Sequence, residues 1–185
     1  MSEQSEKLRL RARAARRENR LADAKQDLVE AVALCRAERD EVDLANALVG
    51  LAQIENDLQH AAAALKNYEE AVAIYRAKND SQRLAHTIRH VGDIHRRQKR
   101  ADLAEPCYRE VLELYRRDET TPQLDLANAL RGFALLQEDK GEPLRAKVLW
   151  DEARGLYAAV HVREGVAESS RRLALLAGQR EVQSP

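Results

Sequence analysis

The sequence predicts an all-α chain built from repeated helix pairs, and three observations carry that reading. The composition is rich in alanine, leucine, arginine and glutamate, with 44% hydrophobic and 34% charged residues but only four prolines, seven glycines and 4% aromatics. Such a mixture favours helices and leaves too few aromatics for a large β core. The chain also repeats itself at offsets of 40 to 42 residues. Finally, the apolar positions inside each copy recur at steps of three and four, the period of one helix face.

Two kinds of segment alternate. The first kind reads LANALVGLAQI from Leu44, LAHTIRHVGDI from Leu84, LANALRGFALL from Leu126 and, more weakly, VAESSRRLALL from Val166. In it, Leu48, Leu51, Ala52 and Glu55 correspond to Ile88, Val91, Gly92 and His95, and to Leu130, Phe133, Ala134 and Gln137. A small residue beside a large one lets a neighbouring helix approach while the large one fills the adjacent gap. The earliest copy is degenerate, with Arg11 at the large apolar position.

The second kind covers 23–35, 63–75, 103–115 and 145–157. Its face is Ala24, Leu28, Ala31, Cys35; then Ala64, Tyr68, Ala71, Tyr75; then Ala104, Tyr108, Val111, Tyr115; then Ala146, Trp150, Ala153, Tyr157. These residues, Trp150 included, are expected in the core, and Cys35 as a buried, inert thiol. His95 is expected to pack with them. Cys107 is expected to be partly exposed.

Punctuation agrees with helix pairs. Asp40 and Asn79-Asp80-Ser81 separate units, and Gly141-Glu142-Pro143 separates the two helices of the last full unit. Thr121-Pro122 suits an N-cap followed by proline at the first helical position. Gly178 is expected to end the last helix. The repeats lie at about 5–40, 44–80, 84–120 and 126–162, followed by a capping helix over 164–177. They form one domain over 1–180 with a flexible tail at 179–185.

The pieces Leu51-Ala52, Val91-Gly92 and Phe133-Ala134, with AxxxY at 64–68 and 104–108 and AxxxW at 146–150, resemble the tetratricopeptide repeat. The long period, and AEPCYREVLELY at 104–115, resemble the kinesin light chain-type subclass. Arg76, Arg116 and Ala158 stand where the usual proline follows the second helix. The added residues are expected in the loops between units or in a longer second helix. Pro106, near a helix start, removes one backbone donor at modest cost.

The resemblance implies a right-handed superhelical solenoid of about four antiparallel hairpins plus a C-terminal capping helix, with the first helices lining a concave groove that holds peptides or partner helices. By position, the groove candidates run from Arg9, Arg13, Arg16 and Arg17 through Asn46, Val49, Gln53, Asn56 and Asp57. They continue with His86, Arg89, His90, Asp93, Arg96 and Arg97, then Asn128, Arg131, Leu135, Glu138 and Asp139, and end with Arg171. The partner-binding residues expected among them are Asn46, Gln53, His86, Arg89, His90, Arg96, Asn128 and Arg131. Nine arginines against four acids on that face point to an acidic protein or peptide partner, because guanidinium forks bind carboxylates bidentately. The family's carboxylate clamp is disfavoured, since Gly50 replaces its second-repeat asparagine and His86 and His90 replace its third-repeat cations.

Other classes fare worse. Equal numbers of basic and acidic residues, 31 each, with no free aromatics on the basic face, disfavour nucleic-acid (RNA) binding, which stays the alternative. Self-association through Val166, Leu175 and Leu176 on the last helix is another. His86 and His90 sit one helical turn apart with Asp93 beyond, yet lack the HExxH pattern, so groove imidazoles are preferred and no metal is expected. No GxSxG, Walker A or GxGxxG motif occurs, so neither an enzyme nor a cofactor is expected. Two distant cysteines, no apolar leader and no run near eighteen apolar residues lead to the expectation of a cytoplasmic scaffold without a membrane span.

Overall fold

The computed structural model describes residues 3–181. Among them are nine helices and no strand: α1 (Glu3–Arg17), α2 (Leu21–Glu38), α3 (Glu41–Asp57), α4 (Ala61–Ala77), α5 (Ser81–Arg97), α6 (Ala101–Arg117), α7 (Gln123–Asp139), α8 (Pro143–Ala159) and α9 (Arg163–Glu181). The all-α repeat architecture is therefore as the sequence indicates. Most of the tail expected over 179–185 lies outside the described residues. Gly178 does not end α9, which continues to Glu181.

The period has a different origin from the one expected. Helices α3 to α8 each have 17 residues, and the links at 58–60, 78–80, 98–100 and 140–142 each have three. Two such helices and two such links account for a 40-residue period. The added length is thus shared equally by both helices of a pair, not lodged in a loop or in the second helix alone. The one offset of 42 arises at the five-residue link 118–122.

The short links are one turn used repeatedly. A left-handed residue sits at Asn19, Arg39, Gln59, Asn79, Lys99, Gly141 and His161, with φ between 55° and 72°. The next residue donates its N–H back to the carbonyl five positions earlier: Arg20 to Ala15, Asp40 to Cys35, His60 to Glu55, Asp80 to Tyr75, Arg100 to His95, Glu142 to Gln137 and Val162 to Tyr157. This pairing satisfies orphan carbonyls at each helix end. The same residue's carbonyl then accepts the first bond of the next helix, as Asp40 does from Leu44. Asp40 and Asp80 also cap through their carboxylates, accepting from Asp43 N and Arg83 N at 3.0 Å.

Link 118–122 departs from this turn. The Asp118 carboxylate accepts from Thr120 N at 2.9 Å and from Thr120 Oγ1 at 2.6 Å. That turn leaves Pro122 extended, with ψ 129°, so proline occupies the N-cap rather than the first helical position. The expected Thr121 cap does not form, and its buried Oγ1 has no partner among the described residues.

The chain divides into two compact units, Met1–Thr87 and Ile88–Pro185, with the boundary inside α5. In the first unit, Ala12, Ala15, Ala24, Leu28, Leu51 and Ile54 form one core cluster, and Leu8, Ala31 and Ala47 another. Arg11 points outward and pairs with the buried Asp27 carboxylate, which explains why an apolar residue is dispensable there. In the second unit, Ala134, Leu135, Ala146, Trp150 and Leu176 cluster, as do Ala104, Tyr108 and Leu136. Tyr108 stacks on Phe133 with ring centroids 5.8 Å apart. The small positions are needed: a Cβ on Gly132 would lie 2.7 Å from the Tyr108 ring.

Candidate functional site

In the first unit, the polar face joins α1 to α3. Arg16 donates through Nε and Nη2 to Asp57 at 2.6 and 3.2 Å, and through Nη1 to Gln53 Oε1 at 2.9 Å. Arg9 Nη2 donates to Asp43 at 3.1 Å. Asn46 accepts from the Tyr75 hydroxyl at 2.9 Å and donates weakly to Asp43 at 3.4 Å. His86 is half-buried on the described part of α5 that belongs to this unit.

The second unit carries a longer version on α5, α7 and α9. Arg89 Nη1 donates to Asp93 Oδ2 at 3.0 Å, and its Nη2 lies 3.2 Å from His90 Nε2. Asp93 Oδ1 accepts from the Tyr108 hydroxyl at 2.6 Å. Arg96 donates to Asp139 at 3.1 Å, across to α7. Arg131 grips Glu168 on α9 with a fork of 2.6 and 2.8 Å, and Arg172 returns to Glu138 at 2.9 Å. Glu138 also accepts from Trp150 Nε1. Asn128 accepts from the Tyr157 hydroxyl at 2.9 Å.

Electrostatics follow from these contacts. The Glu168 carboxylate, bonded to it, raises the Arg131 guanidinium further above its ordinary value. Burial pushes Tyr75 and Tyr115 up to about 12, and pushes Tyr108 higher still with Asp93 adding to it. Burial also raises both thiols, consistent with inert cysteines; Cys35 is buried against Ser5 Oγ at 3.0 Å and Cys107 is half-buried.

The charge balance of this face differs from the one read off the sequence. Asp43 and Glu168 add to its four acids and each holds one of its arginines, so Arg9, Arg16, Arg89, Arg96 and Arg131 all face carboxylates. Helical register alone places Asp43 three residues before Asn46, a signal that was available; the role of Glu168 and Arg172 depends on how α9 packs. Leu135 also leaves the list: it is buried in the cluster with Leu176. Asn46 and Asn128 spend their amide oxygens on core tyrosines. Among the described residues, no group of three His, Cys, Asp or Glu is placed to hold a metal ion, and no helix is long and apolar enough to cross a membrane.

The family model of the tetratricopeptide repeat matches residues 83–159. No curated protein matches this sequence. Among solved structures, BtubC (BKLC) from P. vanneervenii superposes with a TM-score of 0.77 at 20% identity, over 85% of this chain and 64% of that one, just under two thirds of its length. The TPR-like repeats of a kinesin light chain-type protein from Podosopora anserina give 0.78 at 16% identity, over 98% and 91%. MamA gives 0.62 at 12% identity, over 100% and 98%. Likeness at these identities establishes fold. Residues 83–159 are tetratricopeptide repeats, and the chain is an all-α repeat protein with the fold of kinesin light chain-like solenoids.

Proposed function

We propose that this chain is a non-catalytic scaffold that holds a segment of a protein partner on the polar face of its first-kind helices. Proteins with this repeat generally mediate protein–protein interaction. The observation that carries the reading is the ladder of the second unit, Arg89–Asp93, Arg96–Asp139, Arg131–Glu168 and Arg172–Glu138. Each carboxylate holds a guanidinium in one orientation but uses only some of its five N–H donors. Arg131 commits Nε and Nη2 and keeps Nη1. Side chains so held lose little further freedom when a ligand arrives.

Arginine only donates, so the groups it meets are acceptors: carboxylates or main-chain carbonyls of the partner. An acidic segment fits, although the internal carboxylates weaken the pull that nine unopposed arginines would exert. Asn128, oriented by Tyr157, contributes its amide nitrogen, and His90 its ring; Asn46, Gln53 and His86 serve the same purpose in the first unit. Nucleic acid is the poorer reading, because phosphates would have to displace carboxylates at 2.6 to 3.1 Å. A cytoplasmic setting belongs to the same proposal.

The test is Arg89→Gln combined with Arg131→Gln, which removes donors without setting a new carboxylate against Asp93 or Glu168. Partners captured from a lysate by the tagged chain are expected to lose about tenfold or more in affinity for the double variant, as measured by calorimetry. Unchanged affinity in a variant with an unaltered melting temperature rejects the assignment. Saturable binding to random RNA, with a steep salt dependence, would favour the nucleic-acid reading.

A further inference from the structure

The ladder leaves another face of the second unit unexplained. Phe133 and Gln137 lie one turn apart on α7, and Phe133 is about 200° round the helix from Arg131. They floor a trough of about 570 Å³ whose walls are Arg109 of α6 and Leu144, Arg145, Val148 and Leu149 of α8. That volume is ample for a short segment with one bulky side chain. Leu144 and Val148, one turn apart, are 58% and 67% exposed, while most large apolar residues of the chain are covered. Phe133 is fixed beneath them by its stack on Tyr108.

Gln137 supplies an independent observation. It is 1% exposed, and neither its Oε1 nor its Nε2 has a hydrogen-bond partner among the described residues. Buried amides are rarely left so, because the lost hydration is not repaid. The corresponding residue of an earlier repeat, Glu55, is held by Lys25 and His60, each at 2.8 Å. The position of Lys25 recurs as Glu105, and Glu105 is already committed to Lys140 and Arg109. The Gln137 carboxamide therefore lies at the trough floor with an acceptor and donors unused, the complement of a main-chain amide.

The rim is cationic. Arg145 is exposed and has no ion pair among the described residues. Arg109 pairs only with Glu105 on its own helix, an exposed contact that is easily loosened. Apolar walls, an unmet amide and two arginines specify one occupant. We propose that this trough docks a short acidic segment of a protein partner, with a bulky apolar anchor over Phe133, a main-chain amide on Gln137, and carboxylates at Arg145 and Arg109. The site is separate from the polar ladder and does not depend on it.

The experiment is fluorescence anisotropy on the full chain, with a fluorescein-labelled hexapeptide of Leu-Phe flanked on each side by Glu-Asp. Saturable binding is expected, weakened about tenfold or more when Leu-Phe becomes Gly-Gly or the flanks become lysines. Val148→Glu and Arg145→Glu, both at exposed positions, are expected to weaken it similarly. Gln137→Leu is expected to weaken binding while raising the melting temperature, a combination that a structural glutamine would not give. Arg154→Gln, an exposed change on α8 away from the trough, is expected to leave it unchanged, which shows that the losses are not those of bulk charge. No saturation at millimolar peptide, equal binding of the lysine-flanked peptide, or full binding by Val148→Glu overturns the proposal. So does a concentration-dependent dimer abolished by Val148→Glu, which would make a second copy the occupant.

Discussion

The repeated left-handed residue is where single side chains act against the fold. An L-residue there crowds its Cβ against the following carbonyl, a cost that glycine escapes and asparagine reduces. Asn19, Asn79 and Gly141 suit the site, but Arg39, Gln59, Lys99 and His161 do not. Lys99→Gly is therefore expected to raise stability by about 0.5–1 kcal/mol in urea denaturation, with part of the gain returned as unfolded-state entropy. Asn79→Gly should gain less. An equal or larger loss at Lys99 would mean its side chain contributes contacts that outweigh the strain. The pattern was present in the sequence as polar residues spaced by twenty, but lysine and arginine at a left-handed position carry no signal of their own. Neighbouring helices define the turn, and the residue conforms to it.

At the scale of elements, two glycines in adjacent helices should respond in opposite directions. Alanine is favoured over glycine inside a helix by about 0.8–1 kcal/mol. A Cβ on Gly155 of α8 meets nothing within 4 Å, so Gly155→Ala should realise that gain. A Cβ on Gly132 of α7 would lie 2.7 Å from Tyr108 Cε1 and 3.1 Å from Asp93 Oδ1. Gly132→Ala must push the ring off its bond to Asp93 and is expected to cost about 1–3 kcal/mol despite the better propensity. Thermal melts of both variants check the pair; a stabilised Gly132→Ala would show that the helices separate freely. Charged staples recur at this scale too. Arg36 reaches Glu70 and Arg116 reaches Glu152 at 2.7 to 2.9 Å, each joining consecutive second-kind helices. Arg116 stands where the usual repeat has proline, so the departure noted in the sequence has a structural use. Being exposed, each staple contributes at most about 1 kcal/mol.

For the molecule as a whole, pH response follows from the buried tyrosine series. Tyr68, Tyr75, Tyr108, Tyr115 and Tyr157 are all at most 2% exposed. Burial favours the neutral phenol, so the folded pKa of Tyr75 and of Tyr115 lies at about 12 against about 10 unfolded. A raised folded pKa stabilises fully below the unfolded value and is lost as pH climbs from about 10 through 12. That loss is roughly 3 kcal/mol for each of the two. Tyrosinate absorbance is thus expected to rise together with the loss of helical circular dichroism. Early titration without unfolding would show the hydroxyls to be accessible.

The repeat itself was determined by sequence. Helix periodicity and small-beside-large positions are local, and they recur often enough that Ala24, Ala64, Ala104 and Ala146 could be aligned by eye. Trp150, His95 and Cys35 could be placed in the core for the same reason. What only the tertiary structure decided is how charges and edges meet between helices. Arg131 finding Glu168, Asp93 taking the Tyr108 hydroxyl, and Gln137 left without a partner beneath Leu144 and Val148 depend on distances between separate elements. Helical spacing fixes which face a residue occupies, but not which neighbour stands within 3 Å of it. For that reason a face counted as nine arginines against four acids became a ladder of fixed pairs.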